Sequence, residues 1–168
     1  MCGLAGTFYF NKNKNSISKS LLRDMRDAMS HRGPDGFGIW LSKDQKTGLA
    51  HRRLSIIDLS DKAKQPMSNF NGDIHIVFNG EIYNHMEIRS ELNNISQRKW
   101  NTDHSDTEVI IQAYEQWGIN CVKKLRGMFS IVIWDEKKQS LWLIRDRLGI
   151  KPLYYYLDDE KLLFASEI

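Results

Sequence analysis

The sequence predicts a layered α/β protein whose strands are largely antiparallel. Strand-like segments fall into two groups separated by helical segments, and most connections between neighbouring strands are too short for a parallel crossover. The chain has 168 residues, 41% hydrophobic and 27% charged, which is globular composition with enough length to bury a core. No internal repeat, low-complexity tract or Pro/Gly/Ser linker interrupts it, so one domain is expected over residues 1–168.

CGLAGTFYF is almost wholly apolar and reads as a buried strand. SISKSLLRDMRDAMSHRG reads as a helix: Ser18 or Ser16 can cap it, Leu21, Leu22, Met25 and Met29 line one face, and Gly33-Pro34 ends it. FGIWLSK and TGLAHRRL are the next two strands, joined by a turn. DIHIVFNG alternates, which places Ile74, Ile76 and Phe78 on one face of a strand. EIYNHMEIRSEL and SDTEVIIQAYEQWG have helical spacing, and Gly118 suits the C-cap of the second. A short helix, NCVKKLRG, follows. MFSIVIWD, SLWLIRDR, PLYYYL and KLLFASEI are expected as strands of a β-meander, with DEKKQ and DDE as turns.

The net charge of +3 is mildly basic, and the lysines are scattered rather than arranged in a stripe with exposed aromatics, which argues against nucleic-acid binding. No stretch approaches the ~18 apolar residues of a membrane span, and no charged n-region precedes the N-terminal apolar segment. The two cysteines, Cys2 and Cys121, show no CxxC spacing and the five histidines no HExxH, so no metal site is expected. Cys121 lies one helical turn after Trp117 and reads as a small core hydrophobe. A reducing cytoplasm suits this cysteine usage.

Several short stretches carry chemistry. If Met1 is removed, Cys2 holds a thiol and an α-amine on adjacent carbons. Such an amine titrates near ~7.7–8.0 and can act as base for the neighbouring nucleophile. The competing reading is an incidental cysteine at a frayed end, which the apolar strand behind it opposes. In FNGEIYNH, Asn79-Gly80 is a hairpin signal, but the helical spacing that follows favours a strand-to-helix turn. There a carboxamide and a glycine N–H would form a pair of oxyanion donors. Arg52 and Arg53 occupy adjacent positions of a strand, so one of them faces inward and wants a carboxylate from protein or ligand. Ser105 and Glu108 form a capping box, and Asp106 complements the helix dipole; a role as partner of a ligand ammonium is the alternative. HRGPDG has ordinary turn chemistry, and RDRLGIKPLYY reads by default as solvated edge charge. Together, a nucleophile with its own base, two oxyanion donors and an Arg/Asp pair for a zwitterion's two ends describe attack on the side-chain amide of a free amino acid.

MCGLAG, HRGPDG, RRLSIID, QPM, FNGEIYNH, SDTEV, GMFSIVIWD, RDRLGIKPLYY and FASEI run from end to end of the chain. Through them it resembles the N-terminal glutaminase domain of asparagine synthetases, among the class II glutamine amidotransferases of the N-terminal-nucleophile hydrolase group. HRGPDG and RDRLGIKPLYY point to asparagine synthetases within that class. The resemblance implies a four-layer αββα sandwich of two largely antiparallel sheets with Cys2 at the end of a central strand. It implies Cys2 as nucleophile and Asn79 with the Gly80 N–H as oxyanion hole. Arg53 would hold the glutamine α-carboxylate, and Glu81 and Asp106 the α-amine. Leu54, Ser55, Ile56 and Ile57 would wall the pocket, while Arg32 and Asn84 support its geometry. His104 departs from relatives that carry a smaller residue, and no role is assigned to it. No cofactor or metal is expected for this domain. ATP and magnesium belong to a synthetase domain with an SGGxDS loop, which has no counterpart here; FASEI is where that domain would begin. The partners implied are L-glutamine and a synthetase domain or separate subunit, with a homodimer as a further assembly and neither nucleic acid nor membrane among them. The activity implied is glutamine hydrolysis through a Cys2 thioester, with the ammonia used for asparagine synthesis. The alternatives are sugar amidation for surface polysaccharide and a catalytically silent glutamine-binding or partner-contacting module.

Overall fold

The computed structural model describes residues 1–10, 16–55 and 60–168. Strand β1 (Gly3–Tyr9), fully buried over its first five residues, is central in a five-stranded sheet. The other strands are β2 (Gly36–Leu41), β3 (Thr47–Arg53), β8 (Tyr154–Leu157) and β9 (Lys161–Ala165). Their order is β2-β3-β1-β9-β8, with antiparallel pairing throughout. A second antiparallel sheet has the order β4-β5-β6-β7, from β4 (Met67–Ser68), β5 (Ile74–Ile82), β6 (Gly127–Asp135) and β7 (Ser140–Arg145).

The facing sides of the two sheets bury Leu4, Leu49, Val77, Val132, Trp134 and Phe164 against one another. Strand alternation sends Ile74, Ile76 and Phe78 to the other side of β5. There they meet Ile88 and Leu92 of α2 (His85–Ile95) and the apolar side of α3 (Asp106–Trp117). Helix α1 (Lys19–Ala28) covers the outer face of the first sheet, where Met25 and Met29 pack on Ala5 and Ala50. The layers therefore run helix, sheet, sheet, helices: an αββα sandwich.

Local chemistry sets the helix ends. The Ser18 Oγ accepts from the Leu21 N–H at 3.1 Å and caps α1. That helix is shorter than its sequence pattern: it stops at Ala28, a 3-10 turn covers Ser30–Arg32, and Leu21 lies exposed off the buried face. The Ser105 Oγ accepts from the Glu108 N–H at 3.4 Å, and Gly118 closes α3 with φ +57°. Only half of the expected capping box forms. The Glu108 carboxylate instead accepts from the N–H groups of Asn101 and Thr102 and from the Thr102 hydroxyl, fixing the approach to the helix. NCVKKLRG forms a 3-10 helix over Gly118–Lys124, and Cys121 is fully buried, its thiol pushed up to about 11 by burial.

Three expectations are corrected. Asn79-Gly80 is no turn: β5 continues through it to Ile82, paired residue by residue with β6, and α2 begins only at His85. The ladder of β6 outweighs the local turn preference of Asn-Gly. The last four strands form no single meander, because β6-β7 and β8-β9 are hairpins in different sheets. Nor is RDRLGIK solvated edge charge throughout: Arg145 and Arg147 are exposed, but Asp146 and Lys151 are not. Asp146 is buried, and its carboxylate accepts from the backbone N–H groups of Phe129, Leu148, Ile150 and Lys151, which shapes the crossing between sheets.

Candidate functional site

A cleft opens where the start of β1, the end of β3, the edge of β5 and the first turn of α3 converge. Cys2, Arg53, Asn79, Gly80, Glu81 and Asp106, spread over the sequence, all line it.

Cys2 sits immediately before β1. Its Sγ accepts from the Leu54 N–H at 3.3 Å. Burial pushes the thiol up; the Leu54 N–H, the chain's terminal charge and the Arg53 guanidinium oppose that. The Cys2 carbonyl accepts from Arg32 Nε at 3.0 Å, while Arg32 Nη1 reaches Glu167 at 2.7 Å. Arg32 thus holds the Cys2 backbone from outside the cleft. In this structure the Cys2 nitrogen is bonded to Met1, which also lines the cleft with its sulfur 3.3 Å from Lys151 Nζ.

The two arginines separate as strand alternation requires. Arg52 turns outward to Asp27 at 2.5 Å, whereas Arg53 is buried and lines the cleft, with Nη1 donating to the Ser60 carbonyl at 2.9 Å. Turn 33–35 packs on this strand end, and it must be glycine that does so. A Cβ on Gly33 would lie 2.6 Å from the Arg53 backbone N. Asp35 then accepts from the Ser55 N–H at 2.8 Å.

Asn79 is 2% exposed, and its amide Nδ2 has no hydrogen-bond partner among the described residues. A buried donor left unsatisfied costs free energy, which makes it a marker of a site awaiting an acceptor. Gly80 supplies a second donor. The backbone groups of Phe78, Gly80 and Ile82 share the edge of β5 that faces away from β6. The Phe78 N–H is taken by Gln65 Oε1 at 2.6 Å and the Ile82 N–H by Asp106 Oδ2 at 3.1 Å. Between them, the Gly80 N–H opens on the cleft. A Cβ at Gly80 would meet the Met128 carbonyl oxygen at 2.2 Å, so only glycine fits the close approach of β6.

Asp106, the first residue of α3, is buried. Burial pushes its carboxyl up to about 6 against the pull of the Ile82 and Thr107 N–H groups, and the Glu81 carboxylate adds to the rise. A cation entering the cleft would relieve both effects.

Not every expected residue joins the cleft. Leu54 lines it, but Ser55 does not, and Ile56 and Ile57 lie outside the described residues. Asn84 points elsewhere: its amide bridges the Lys124 carbonyl at 2.9 Å and the Arg126 N–H at 2.8 Å, tying α2 to the approach of β6. His104 is exposed and outside the lining. Gln65, Thr107, Met128 and Lys151 do line the cleft and were not expected there; Gln65 and Lys151 sit in QPM and RDRLGIKPLYY, motifs of the resemblance to which no site role was assigned. Among the described residues, no group of His, Cys, Asp and Glu is arranged to hold a metal ion, and no helix is long and apolar enough to cross a membrane.

Comparison with known proteins gives the family and the fold. A Bacillus subtilis protein named asparagine synthetase [glutamine-hydrolyzing] 2 is 45% identical over 169 residues, covering 100% of this chain and 22% of its own. A Methanocaldococcus jannaschii protein named putative asparagine synthetase [glutamine-hydrolyzing] 2 is 40% identical over 185 residues, covering 100% of this chain and 34% of its own. The chain thus spans between about a fifth and a third of the length of these relatives. The solved Bacillus subtilis glutamine phosphoribosylpyrophosphate amidotransferase superposes with a TM-score of 0.78 at 20% identity, over 98% of this chain and 42% of its own, and shares the fold. With residues 1–168 matching the family described as glutamine amidotransferase domain, and the two sheets arranged as in that solved amidotransferase, the chain belongs to the glutamine amidotransferase domain family.

Proposed function

We propose that the cleft hydrolyses L-glutamine to glutamate and ammonia, with Cys2 as nucleophile, and that the ammonia passes to a synthetase domain or partner that makes asparagine. The observation that carries this reading is the pairing of the Cys2 thiol with the unsatisfied Asn79 amide in one cleft. The relatives' names, glutamine-hydrolysing asparagine synthetases, support the substrate and the use of the ammonia.

The chemistry follows from the groups present. Removal of Met1 frees the Cys2 amine, which takes the thiol proton as sulfur adds to the glutamine γ-carbonyl carbon. The carbonyl oxygen becomes an oxyanion held by Asn79 Nδ2 and the Gly80 N–H. Collapse of this intermediate breaks the C–N bond; the ammonium form of the Cys2 amine returns the proton to the leaving nitrogen, and ammonia departs. Water then adds to the thioester, giving a proton to the amine, and a second collapse releases glutamate and restores the thiol. Nucleophile, base and oxyanion donors all belong to the chain, so the domain's step calls for no cofactor, while ATP and magnesium act in the synthetase partner. Arg53 binds the substrate α-carboxylate, and Asp106 with Glu81 the α-ammonium. Leu54 walls the pocket and orients the thiol; Arg32 positions the Cys2 backbone, and Asn84 braces α2. The thiols of Cys2 and Cys121 suit a reducing cytoplasm.

Cys2→Ala tests the reading. It should abolish glutamate release from glutamine and leave the thermal melt unchanged; undiminished release from the variant would overturn the mechanism.

A further inference from the structure

Among the described residues, no strand pairs with the edge of β5 beside the cleft. β4 pairs only with His75 and Ile76, and beyond that point side chains take over the backbone groups. Gln65 Oε1 accepts from the Phe78 N–H at 2.6 Å. His51 Nε2 donates to the Phe78 carbonyl at 3.0 Å; this acceptor fixes the proton on Nε2, and burial keeps the ring neutral by pulling its pKa down to about 4. Phe78 is thereby held at both backbone groups one residue before Asn79 and two before Gly80. The other end of the Gln65 amide, Nε2, donates at 3.3 Å to Thr107 Oγ1, next to Asp106 on α3. Gln65 is 7% exposed and lines the cleft itself.

We propose that Gln65 is a positioning residue for the oxyanion donors: it ties the strand edge bearing Asn79 and Gly80 to the helix end bearing Asp106, and so sets the distance between the reacting carbonyl and the α-ammonium site. This rests on the glutaminase reading. A carboxamide suits the task because one planar group accepts from the strand and donates to the helix. An oxyanion site acts through placement: its donors must meet the oxygen where the tetrahedral intermediate puts it. Loss of the Gln65 bonds frees the Phe78–Gly80 edge to shift, while Arg53 and Asp106 keep their own anchors. The effect therefore falls on the transition state rather than on substrate binding.

The test uses the methionine-processed chain and Gln65→Met, which keeps the length and removes both hydrogen bonds. A misplacement of about 1 Å can cost about a hundredfold, so kcat for glutamine should fall roughly tenfold to a hundredfold, with KM changed less than about twofold. Two ligands separate positioning from simple structural support. The γ-aldehyde analogue of glutamine adds the Cys2 thiol across its C=O and places oxygen in the oxyanion site, whereas glutamate forms no such adduct. The aldehyde should lose affinity in step with kcat while glutamate binds as to the native protein. Equal losses for both ligands, or an unchanged kcat, overturn the proposal. Should Gln65→Met not fold, Thr107→Val, which cuts only the helix anchor, should show a smaller loss with the same selectivity; native aldehyde affinity in that variant overturns the proposal. Absence of glutamate release from the native chain refutes the glutaminase reading and the proposal with it. Native turnover with an unaffected Gln65→Met refutes the proposal alone.

Discussion

Burying a carboxylate and keeping it available to an ammonium are opposed demands, and the proposed site asks both of Asp106. Its carboxyl titrates at about 6 against an ordinary 3.8 because it is buried, so the folded chain binds this proton more tightly than the unfolded chain does. Relative to the protonated carboxyl, the cost of ionising it sets in near the ordinary value, grows as pH rises to about 6, and levels off above that at no more than about 3 kcal/mol. Asp106→Asn should therefore raise the melting midpoint at pH 7, with the gain vanishing below about pH 4, since asparagine keeps an acceptor for the Ile82 N–H. The same variant should bind glutamine more weakly; thermal melts at both pH values and a glutamine titration check the pair of effects. Asn79 makes the complementary case. Its Nδ2 contributes no hydrogen bond to the fold, so Asn79→Ala should barely move the melt yet lower kcat by roughly 10²–10³, as loss of one oxyanion donor does. A steady-state assay that shows only a KM change would contradict this. At this scale thiol, guanidinium, carboxamide and carboxylate are legible as residue types, and the fold brings Cys2, Arg53, Asn79 and Asp106 to one cleft. Gln65 is not legible in this way, because a glutamine before proline carries no sign of which backbone N–H it will meet.

Strand β5 is the element on which the proposed site depends most, because among the described residues no strand covers its edge beside the cleft. Its apolar alternation is plain in DIHIVF, and the structure follows it. The Asn79-Gly80 step misleads, since that dipeptide usually turns the chain, while here pairing with Ser130 and Phe129 carries the strand onward. Continuation keeps Gly80 in the sheet with its N–H on the open edge; a turn would have put it elsewhere. Gly80→Ala tests the element. The added methyl meets the Met128 carbonyl of β6, so the strands must part, with an expected cost of about 1–3 kcal/mol in chemical denaturation and a loss of kcat beyond it. Helix α3 was legible for the opposite reason: its signals, Ser105 at the start and Gly118 at the end, act within one turn of the chain. The crossing from β7 to β8 was not. Asp146 is an ordinary acid in sequence, and only the folded loop wraps four N–H donors around it.

Across the whole molecule, the cleft lies where both sheets and α3 meet, so its parts are held by long-range packing rather than by any one segment. The chain's first residue belongs to that geometry: Met1 lines the cleft and acylates the nitrogen proposed as base. Protein that retains Met1 should release no glutamate, and activity should appear in proportion to the processed fraction; mass spectrometry of the N-terminus beside a glutaminase assay checks this. By itself the sequence determined most strands, the start of α1 and both ends of α3, the inward turn of one arginine beside Cys2, and the residue types of the site, because propensity, alternation and capping act between near neighbours. Only the tertiary structure decided which sheet each C-terminal strand joins. It also decided that, among the described residues, no strand pairs with β5 beside the cleft, that Gln65 and Lys151 border the site, and that Ser55, Asn84 and His104 stand away from it. Those outcomes depend on pairing and packing between segments far apart in the chain, where a residue's partner is set by the register of another strand rather than by its own neighbours.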